Sequence, residues 1–553
     1  MSFAISTEHK AIVVNHPGLT DKLLLLPGSK PLSDDPRLAD FVIVPHTLDN
    51  AMSLRALNIE VPSPIGYYYD WPKVNGVHEV SQHQKEIAAF STLFKRSYDL
   101  SEVGTRKTHS HLLAADYLME TGQVRKTLIL SPLSTLTRVW GDAIFFTFPE
   151  KRTGVVLHGT AAKRRKLFKE DHDFYIINHD GLSIITDKKH DARGRLISAE
   201  LMRDDIDLVI VDEGAEYRNS DTAKYALLRK VLGPDRMVHW LTGTPTPNAP
   251  TDAWAQARIV SPDRVPPYFG GYRDRTMRQL TQYRWEPRAE ATQVVHQTLQ
   301  PAIRYERSQV IPINEAVYSE RECVLTSEQK KHYDELKKDL STIFASGQKL
   351  SVVNQGVLRS KLLQAACGVI YDKNGETVVL DAKPRHDVVR EVVRQCGEKV
   401  IVFVPFRHAL EQLHKAVSKD FTCELVHGGV SSGKRNDIFL RFQNEHDPRV
   451  LIADARCMSH GLTLTEASTI LWYAPPPSNN VYVQANGRIT RDGQVNIPNI
   501  VHITGTPAER AAYQRVIDNG TQQDLLLNMV TAVGNKPLNF NNASATTNTG
   551  ETE

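Results

Sequence analysis

Ser101-Glu102-Val103-Gly104-Thr105-Arg106-Lys107-Thr108 follows a short apolar-alternating run and precedes a helical pattern. A phosphate-binding loop needs a strand, a tight turn of backbone amides, a lysine, a hydroxyl residue and a helix start. Amides at a helix N-terminus favour phosphate anions. Gly104, Thr105 and Arg106 form the turn, Lys107 suits the β- and γ-phosphates, and Thr108 suits Mg²⁺. Arg106 stands where such loops usually carry glycine. Taken alone, the octapeptide reads as a plain strand-to-helix turn. Its partners elsewhere in the chain decide between the two.

At 553 residues the chain is too long for one core, and roughly two to four domains are expected. A charged fraction of 24% beside 41% hydrophobic residues is that of a globular chain. The net charge of +3 gives no bulk attraction to nucleic acid, so any basic surface is local. Cys323, Cys367, Cys396, Cys423 and Cys457 form no C-x-x-C pair, which argues against a zinc ribbon or a disulfide framework and fits a reducing compartment. No run approaches the roughly 18 apolar residues of a membrane helix. The first residues lack the basic segment and apolar core of a secretory signal. The expectation is a cytoplasmic protein with no membrane contact.

Residues 1–75 contain three strand-like runs, AIVV, LLLLP and FVIVP, and a helix opened by Thr47 or Asp49, so a small α+β accessory domain is expected. From 76 to 258 apolar strands alternate with helices, which indicates a parallel sheet covered on both faces. From 259 to 386 the alternation fades into long helical patterns, read as helical protrusions and a linker. From 387 to 535 it returns, giving a second α/β unit. Residues 536–553 are polar and read as a disordered tail.

Asp212 and Glu213 end the apolar run LVIVDE. Ligands in open α/β sheets gather at the carboxyl ends of strands. One acid there can hold Mg²⁺, and its neighbour can orient and deprotonate water. An isolated V-D-E would be a pair of solvated acids; Lys107 and Thr108 change that reading. Thr242 and Thr244, in LTGTP, can contact the acids or simply form a turn. Gln84 can read adenine with its amide or be an exposed helix glutamine. Arg488 and Arg491, three apart, can stabilise charge on a transferring phosphoryl group or form a basic turn.

The order Gln84, GTRKT, SPLSTLTRVW, IINHDGL, DEGA, LTGTPTPN, VIVFVPFRHAL, ADARCMSHGLTLTEAS and QANGRITRDGQ resembles superfamily 2 helicases, nearest the Swi/Snf-type DNA translocases. LTGTPTPN and QANGRITRDGQ are its most specific pieces, and Trp140 fits that branch. The resemblance spans roughly residues 80 to 510 and looks like a compact bacterial or phage-like member. It implies two RecA-like parallel-sheet domains with helical insertions, ATP and Mg²⁺ between them, and DNA across both. Gln84 would then recognise adenine; Gly104, Thr105, Arg106, Lys107 and Thr108 would bind phosphate and metal. Asp212 would hold Mg²⁺, Glu213 would activate water, and Arg488 and Arg491 would reach the γ-phosphate. Thr242, Thr244 and Gly461 would couple hydrolysis to movement. Residues 1–75 resemble the small substrate-recognition modules that precede compact translocases.

Three residues depart from the family pattern: Arg106 for glycine, Ala215 for histidine and Ala474 for aspartate. If the turn requires positive φ, Arg106 costs about 1–2 kcal/mol. Two basic segments are candidate DNA contacts. One contains Arg164 and Arg165; the other interleaves Tyr272, Tyr283 and Trp285 with arginines that include Arg278. A solvated helix face and helix-packing aromatics are the alternatives. The sequence therefore points to an ATP-dependent DNA translocase. A helicase-like module with weakened catalysis, an RNA helicase and a scaffold are the other readings.

Overall fold

The structure, a computed structural model, describes residues 2–281, 284–310, 314–345, 352–371, 376–458, 463–491 and 493–518. Gly461, Tyr283 and the tail 536–553 lie outside the described residues.

Strands β1 (Ser2–Ser6), β2 (Ala11–Asn15), β3 (Lys30–Pro31) and β4 (Phe41–Pro45) form an antiparallel sheet in the order β1-β2-β4-β3. Ile12 and Val14 alternate inward along β2, as a half-buried strand requires. The helix Leu48–Ala56 starts where the Thr47 hydroxyl accepts from the Asn50 amide. The LLLLP run is not a strand. It begins in the short helix Thr20–Leu24, of which only Leu23 is buried, a one-sided contact that suits a helical turn.

The next strands are β5 (Arg96–Asp99), β6 (Lys126–Ser131), β7 (Gly154–Val156) and β8 (Phe174–Asn178). A hairpin of β9 (Thr186–His190) and β10 (Leu196–Leu201) follows; its turn is held by Asp191, which accepts from the Arg193 and Arg195 amides. After β11 (Ile206–Val211) and β12 (Met237–Leu241) comes a second hairpin, β13 (Met277–Thr281) and β14 (Arg284–Pro287). With β15 (Ala302–Ile303) the first lobe has a seven-stranded sheet in the order β15-β5-β12-β11-β6-β8-β7, parallel throughout. The second lobe contains β16 (Val317–Glu322), a small hairpin of β17 (Val369–Tyr371) and β18 (Thr377–Val379), then β19 (Lys399–Phe403), β20 (Cys423–Val426), β21 (Val450–Ala453), β22 (Ala467–Trp472) and β23 (Asn499–Thr504). Its six-stranded sheet, β16-β23-β22-β19-β21-β20, is also parallel. Two RecA-like sheets, each buried on both faces, explain the continuous apolar runs.

The stretch 259–386, expected as helical, also supplies strands to both sheets. β15 is only two residues long, and β16 is an exposed edge strand with charges at Glu320, Arg321 and Glu322. Neither shows the apolar run by which a buried strand is recognised.

The N-terminal sheet is not a detached unit. Ile12, Val14, Val42 and Val44 share one hydrophobic cluster with Leu112, Leu113, Ile129 and Ile210 of the first lobe. At its edge the fully buried Asp116 carboxylate accepts from the Tyr69 hydroxyl at 2.5 Å, Lys151 Nζ at 2.6 Å and Arg152 Nε at 2.6 Å. A buried carboxylate is tolerated when it is paired this fully. The node ties the connector after the N-terminal sheet to the helix Lys107–Glu120.

In the second lobe the His502 ring bonds the Tyr482 hydroxyl at 2.9 Å, and burial pushes it down to about 4. The unfolded chain binds this proton below about pH 6.5, whereas the folded lobe does not until about pH 4. Stability is therefore lost as pH falls through that window. Thermal unfolding between pH 6.5 and 5 should show His502→Gln with a shallower loss than wild type, by roughly 1–2 kcal/mol; equal slopes would refute the assignment.

Candidate functional site

β5 ends at Asp99, and its carboxylate organises the root of the loop. Oδ1 accepts from the Ser101 amide at 2.9 Å, and Oδ2 accepts from His111 Nε2 at 3.0 Å. His111 Nδ1 lies 3.2 Å from His239 Nδ1, so one ring supplies the N–H and the other the lone pair. All three side chains are buried. Burial pushes the Asp99 carboxyl up, but His111, Lys107 and the Ser101 amide outweigh it and hold it below the usual carboxylate range. Burial pushes His239 well down.

Gly104 and Arg106 have φ of 95° and 61°, so the turn does require the left-handed region at the position where the sequence has arginine. Arg106 opens the helix that starts at Lys107. Lys107 Nζ donates to the Ser101 and Glu102 carbonyls at 2.5 and 3.0 Å. The Thr105 hydroxyl closes the turn on the Glu102 carbonyl at 2.9 Å. Next to Thr108, burial and the Arg106 charge push His109 down to about 4.

Asp212 Oδ2 accepts from the Ser131 hydroxyl at 2.7 Å and from the Trp140 indole N–H at 3.1 Å, and Oδ1 accepts from the Glu213 amide at 3.0 Å. Ser131 and Trp140 are site residues that reading the chain did not pair with Asp212. The signal was there, because a buried indole N–H needs an acceptor. Glu213 is itself left-handed, with φ of 52°, and strained residues of this kind cluster at functional sites. Gly214 follows because the Trp240 indole leaves no room: a Cβ there would lie 2.1 Å from Nε1. Thr242 Oγ1 accepts from the Thr244 amide at 3.2 Å, and Thr244 Oγ1 reaches Asn480 Oδ1 of the second lobe at 2.8 Å.

One cavity of about 740 Å³ brings Gly104, Arg106, Lys107, Thr108, Asp212 and Glu213 together with Arg491 from the second lobe; Asn75, His109 and Phe146 also line it. Burial and the nearby Arg307 charge push Arg491 down to about 10. Arg488, behind it, is fully buried; burial and Arg491 push it down, while Glu213 opposes this. Gln84 is not on the cavity wall. Its Oε1 accepts from the Ser81 amide and hydroxyl at 3.2 and 2.7 Å, and its buried Nε2 has no partner among the described residues.

The nucleic-acid candidates are engaged within the fold. Arg164 donates to Asn178 Oδ1 and the Gly159 carbonyl, both at 2.9 Å, and Arg165 donates to the Ile184 carbonyl at 3.0 Å. Arg278 lies 3.6 Å from Glu286 across its hairpin, and the Arg273 guanidinium covers the Trp285 ring at 4.1 Å. Tyr272, expected among the stacking aromatics, is a core residue at 1% exposure.

Gly214→Ala forces a methyl into the Trp240 indole, which also donates to Gln256 Oε1 at 3.0 Å. Overpacking of this kind costs about 1–3 kcal/mol. Denaturant unfolding should show at least that loss, together with a displaced Glu213; an unchanged midpoint would contradict it.

Comparison with known proteins places these features in a family. The SNF2-related domain matches residues 78–368, and the helicase conserved C-terminal domain matches residues 384–493. Protein p41 of Acyrthosiphon pisum secondary endosymbiont phage 1 is 26% identical over 461 residues, covering 78% of this chain and 94% of that protein. The human DNA annealing helicase and endonuclease ZRANB3 is 23% identical over 421 residues, covering 73% of this chain but only 35% of its own length. The Sulfolobus solfataricus SWI2/SNF2 ATPase core in complex with dsDNA aligns over 85% of this chain and 98% of its own, at 17% identity and a TM-score of 0.38. With the SNF2-related match spanning more than half of its length, the chain belongs to the SNF2-related branch of the superfamily 2 helicases.

Proposed function

We propose that the chain is an ATP-dependent translocase or helicase acting on DNA, which hydrolyses ATP between its two lobes. The observation that supports this best is the single cavity lined by the loop and acids of one lobe and by Arg491 of the other. Its volume of about 740 Å³ is in the range of nucleotide-sized sites. Lys107 rests on two loop carbonyls, and phosphate oxygens are stronger, anionic acceptors for the same N–H groups. Gln84, whose buried Nε2 is an unpartnered donor, would read adenine only if the chain around it opened toward the cavity.

Thr108 and Asp212 would hold Mg²⁺, which supplies charge neutralisation at the β- and γ-phosphates when bound. The residues fit it. Thr108 and Asp212 line the same cavity, and Mg²⁺ is usually held by one or two carboxylates plus phosphates. Ser131 and Trp140 fix the Asp212 carboxylate in place. Glu213 takes the proton of the attacking water, and Arg491, which lines the cavity, stabilises charge on the γ-phosphoryl group, whereas Arg488 is fully buried and does not line it. Thr244, held by Thr242 and bonded to Asn480 of the second lobe, would couple movement between the lobes. Gly461 enters as a coupling residue through the resemblance alone.

DNA as the partner is supported by the name of the human relative, a DNA annealing helicase; Arg164, Arg165, Arg278 and Trp285 would contact it only by giving up their present partners within the fold. Residues 1–75 would recognise the substrate, 76–258 and 387–535 would form the motor, and 259–386 would connect its halves. Among the described residues no helix is long and apolar enough to cross a membrane. The left-handed Arg106 favours a second reading, a DNA-gripping module with slow turnover.

Steady-state ATP turnover separates the readings. Duplex DNA should raise it, and Glu213→Gln should lower it by roughly 10²–10⁴. Wild-type turnover no faster than that of the variant would leave only the gripping module, and stimulation by RNA over duplex DNA would reassign the substrate. Arg106→Gly should raise folding stability by roughly 0.5–1 kcal/mol, the left-handed cost less the entropy of glycine. It should tighten ATP binding in a nucleotide titration, because the turn regains backbone freedom; unchanged or weaker affinity would show instead that the Arg106 charge attracts the phosphates.

A further inference from the structure

Arg307 stands on the connector between the two sheets. That connector is stitched along the phosphate loop: the Tyr305 amide donates to Ser101 Oγ at 3.0 Å, the Glu102 amide to the Tyr305 carbonyl at 3.0 Å, and the Arg307 amide to Glu102 Oε2 at 3.0 Å. The Arg307 side chain then crosses the loop. A Cβ built on Gly104 would sit 3.4 Å from Arg307 Cδ. On the far side the guanidinium reaches the second lobe, where Nη1 donates to the Thr490 carbonyl at 2.6 Å and to the Thr490 hydroxyl at 2.8 Å. Thr490 is buried and lies in sequence between Arg488 and Arg491.

The arrangement places three arginines beside one loop. Burial pushes Arg307 down, with Glu102 opposing, and Arg307 in turn depresses Arg491. Like charges buried together are costly unless anions share the space. The nearby protein anions are Glu213 and Glu102, the latter shared with the buried Arg304 at 3.5 Å; a polyphosphate in the adjoining cavity would supply the rest. With its amide held by the Glu102 carboxylate, an alanine at 307 could not reach the Thr490 acceptors and would remove the cationic donor.

We propose that Arg307 is a positioning residue for ATP hydrolysis, holding the arginine-bearing turn Gly487–Arg491 of the second lobe at a fixed distance from the phosphate loop of the first. This rests on the ATP reading above. Arg307 acts through Thr490 and so sets where Arg491 points. Its loss leaves Lys107 and Thr108 in place, so nucleotide binding should survive while turnover does not.

The test uses the full chain and three variants: Arg307→Ala, Arg307→Lys and Thr490→Val. A fluorescent ATP analogue gives nucleotide affinity, single-turnover hydrolysis on duplex DNA gives the chemical rate, and small-angle scattering gives the spread of the lobes. Misplacement of about 1 Å costs roughly 10²-fold in rate, which is the fall expected for Arg307→Ala, with affinity changed less than about threefold. Arg307→Lys keeps the charge and one donor and should recover part of the rate. Thr490→Val removes one acceptor and should fall between wild type and Arg307→Ala. The radius of gyration of Arg307→Ala should exceed that of wild type. Wild-type turnover in Arg307→Ala, or rate and affinity falling together with no change in radius, would overturn the proposal. An unchanged radius would do so even if the wild-type chain proved unable to hydrolyse ATP, whereas failure of wild-type hydrolysis with an expanded variant would refute the ATP reading and leave the tether standing.

Discussion

Ser101 is fixed at three points. Its amide donates to Asp99, its carbonyl accepts from Lys107, and its hydroxyl accepts from the Tyr305 amide. The first bond anchors the loop to the end of a buried strand, the second orients the lysine, and the third holds the chain that leaves for the other lobe. A backbone turn with two left-handed residues is affordable because its first residue cannot shift. The connector, and through Arg307 the arginine turn, are placed relative to this one residue.

Below it lies a polar chain of Asp99, His111 and His239, fully enclosed. In a low-dielectric interior such bonds are strong, although the buried His239 Nε2 has no hydrogen-bond partner among the described residues. Here the network joins the strand before the loop, the helix after it and the neighbouring strand β12, which leads to Thr242. The phosphate loop and the threonine turn therefore share one foundation, and the Thr242 amide donates to the Asp99 carbonyl at 3.0 Å.

Both parallel sheets were legible because buried strands such as LVIV and VIVF show continuous apolar runs. That Gly104, Lys107, Thr108, Asp212, Glu213 and Arg491 would meet at one cavity was legible because the motifs carrying them follow a fixed order, whereas Gln84 and Arg488 do not reach its wall. What the chain alone did not reveal follows from physics that linear patterns lack. β16 is an edge strand whose outer face is charged, so it has no apolar signature. Tyr272 lies among arginines in sequence, yet its ring turns into the core, and the burial of one aromatic cannot be read from its polar neighbours. The bond from Trp140 to Asp212 spans 72 positions, and only the packing of the helix after β6 brings the two together. The left-handed φ of Arg106 was conditional on the turn, and the turn proves to need it.

The N-terminal sheet is bound to the first lobe by a continuous apolar cluster and by the Asp116 node on the helix that begins at Lys107. Close-packed interiors are stiff and transmit strain. The sheet, the Tyr69 connector and that helix consequently share one packed core, so a cavity opened beneath Ile12 or Val44 would be felt by the same cluster that packs the helix beginning at Lys107.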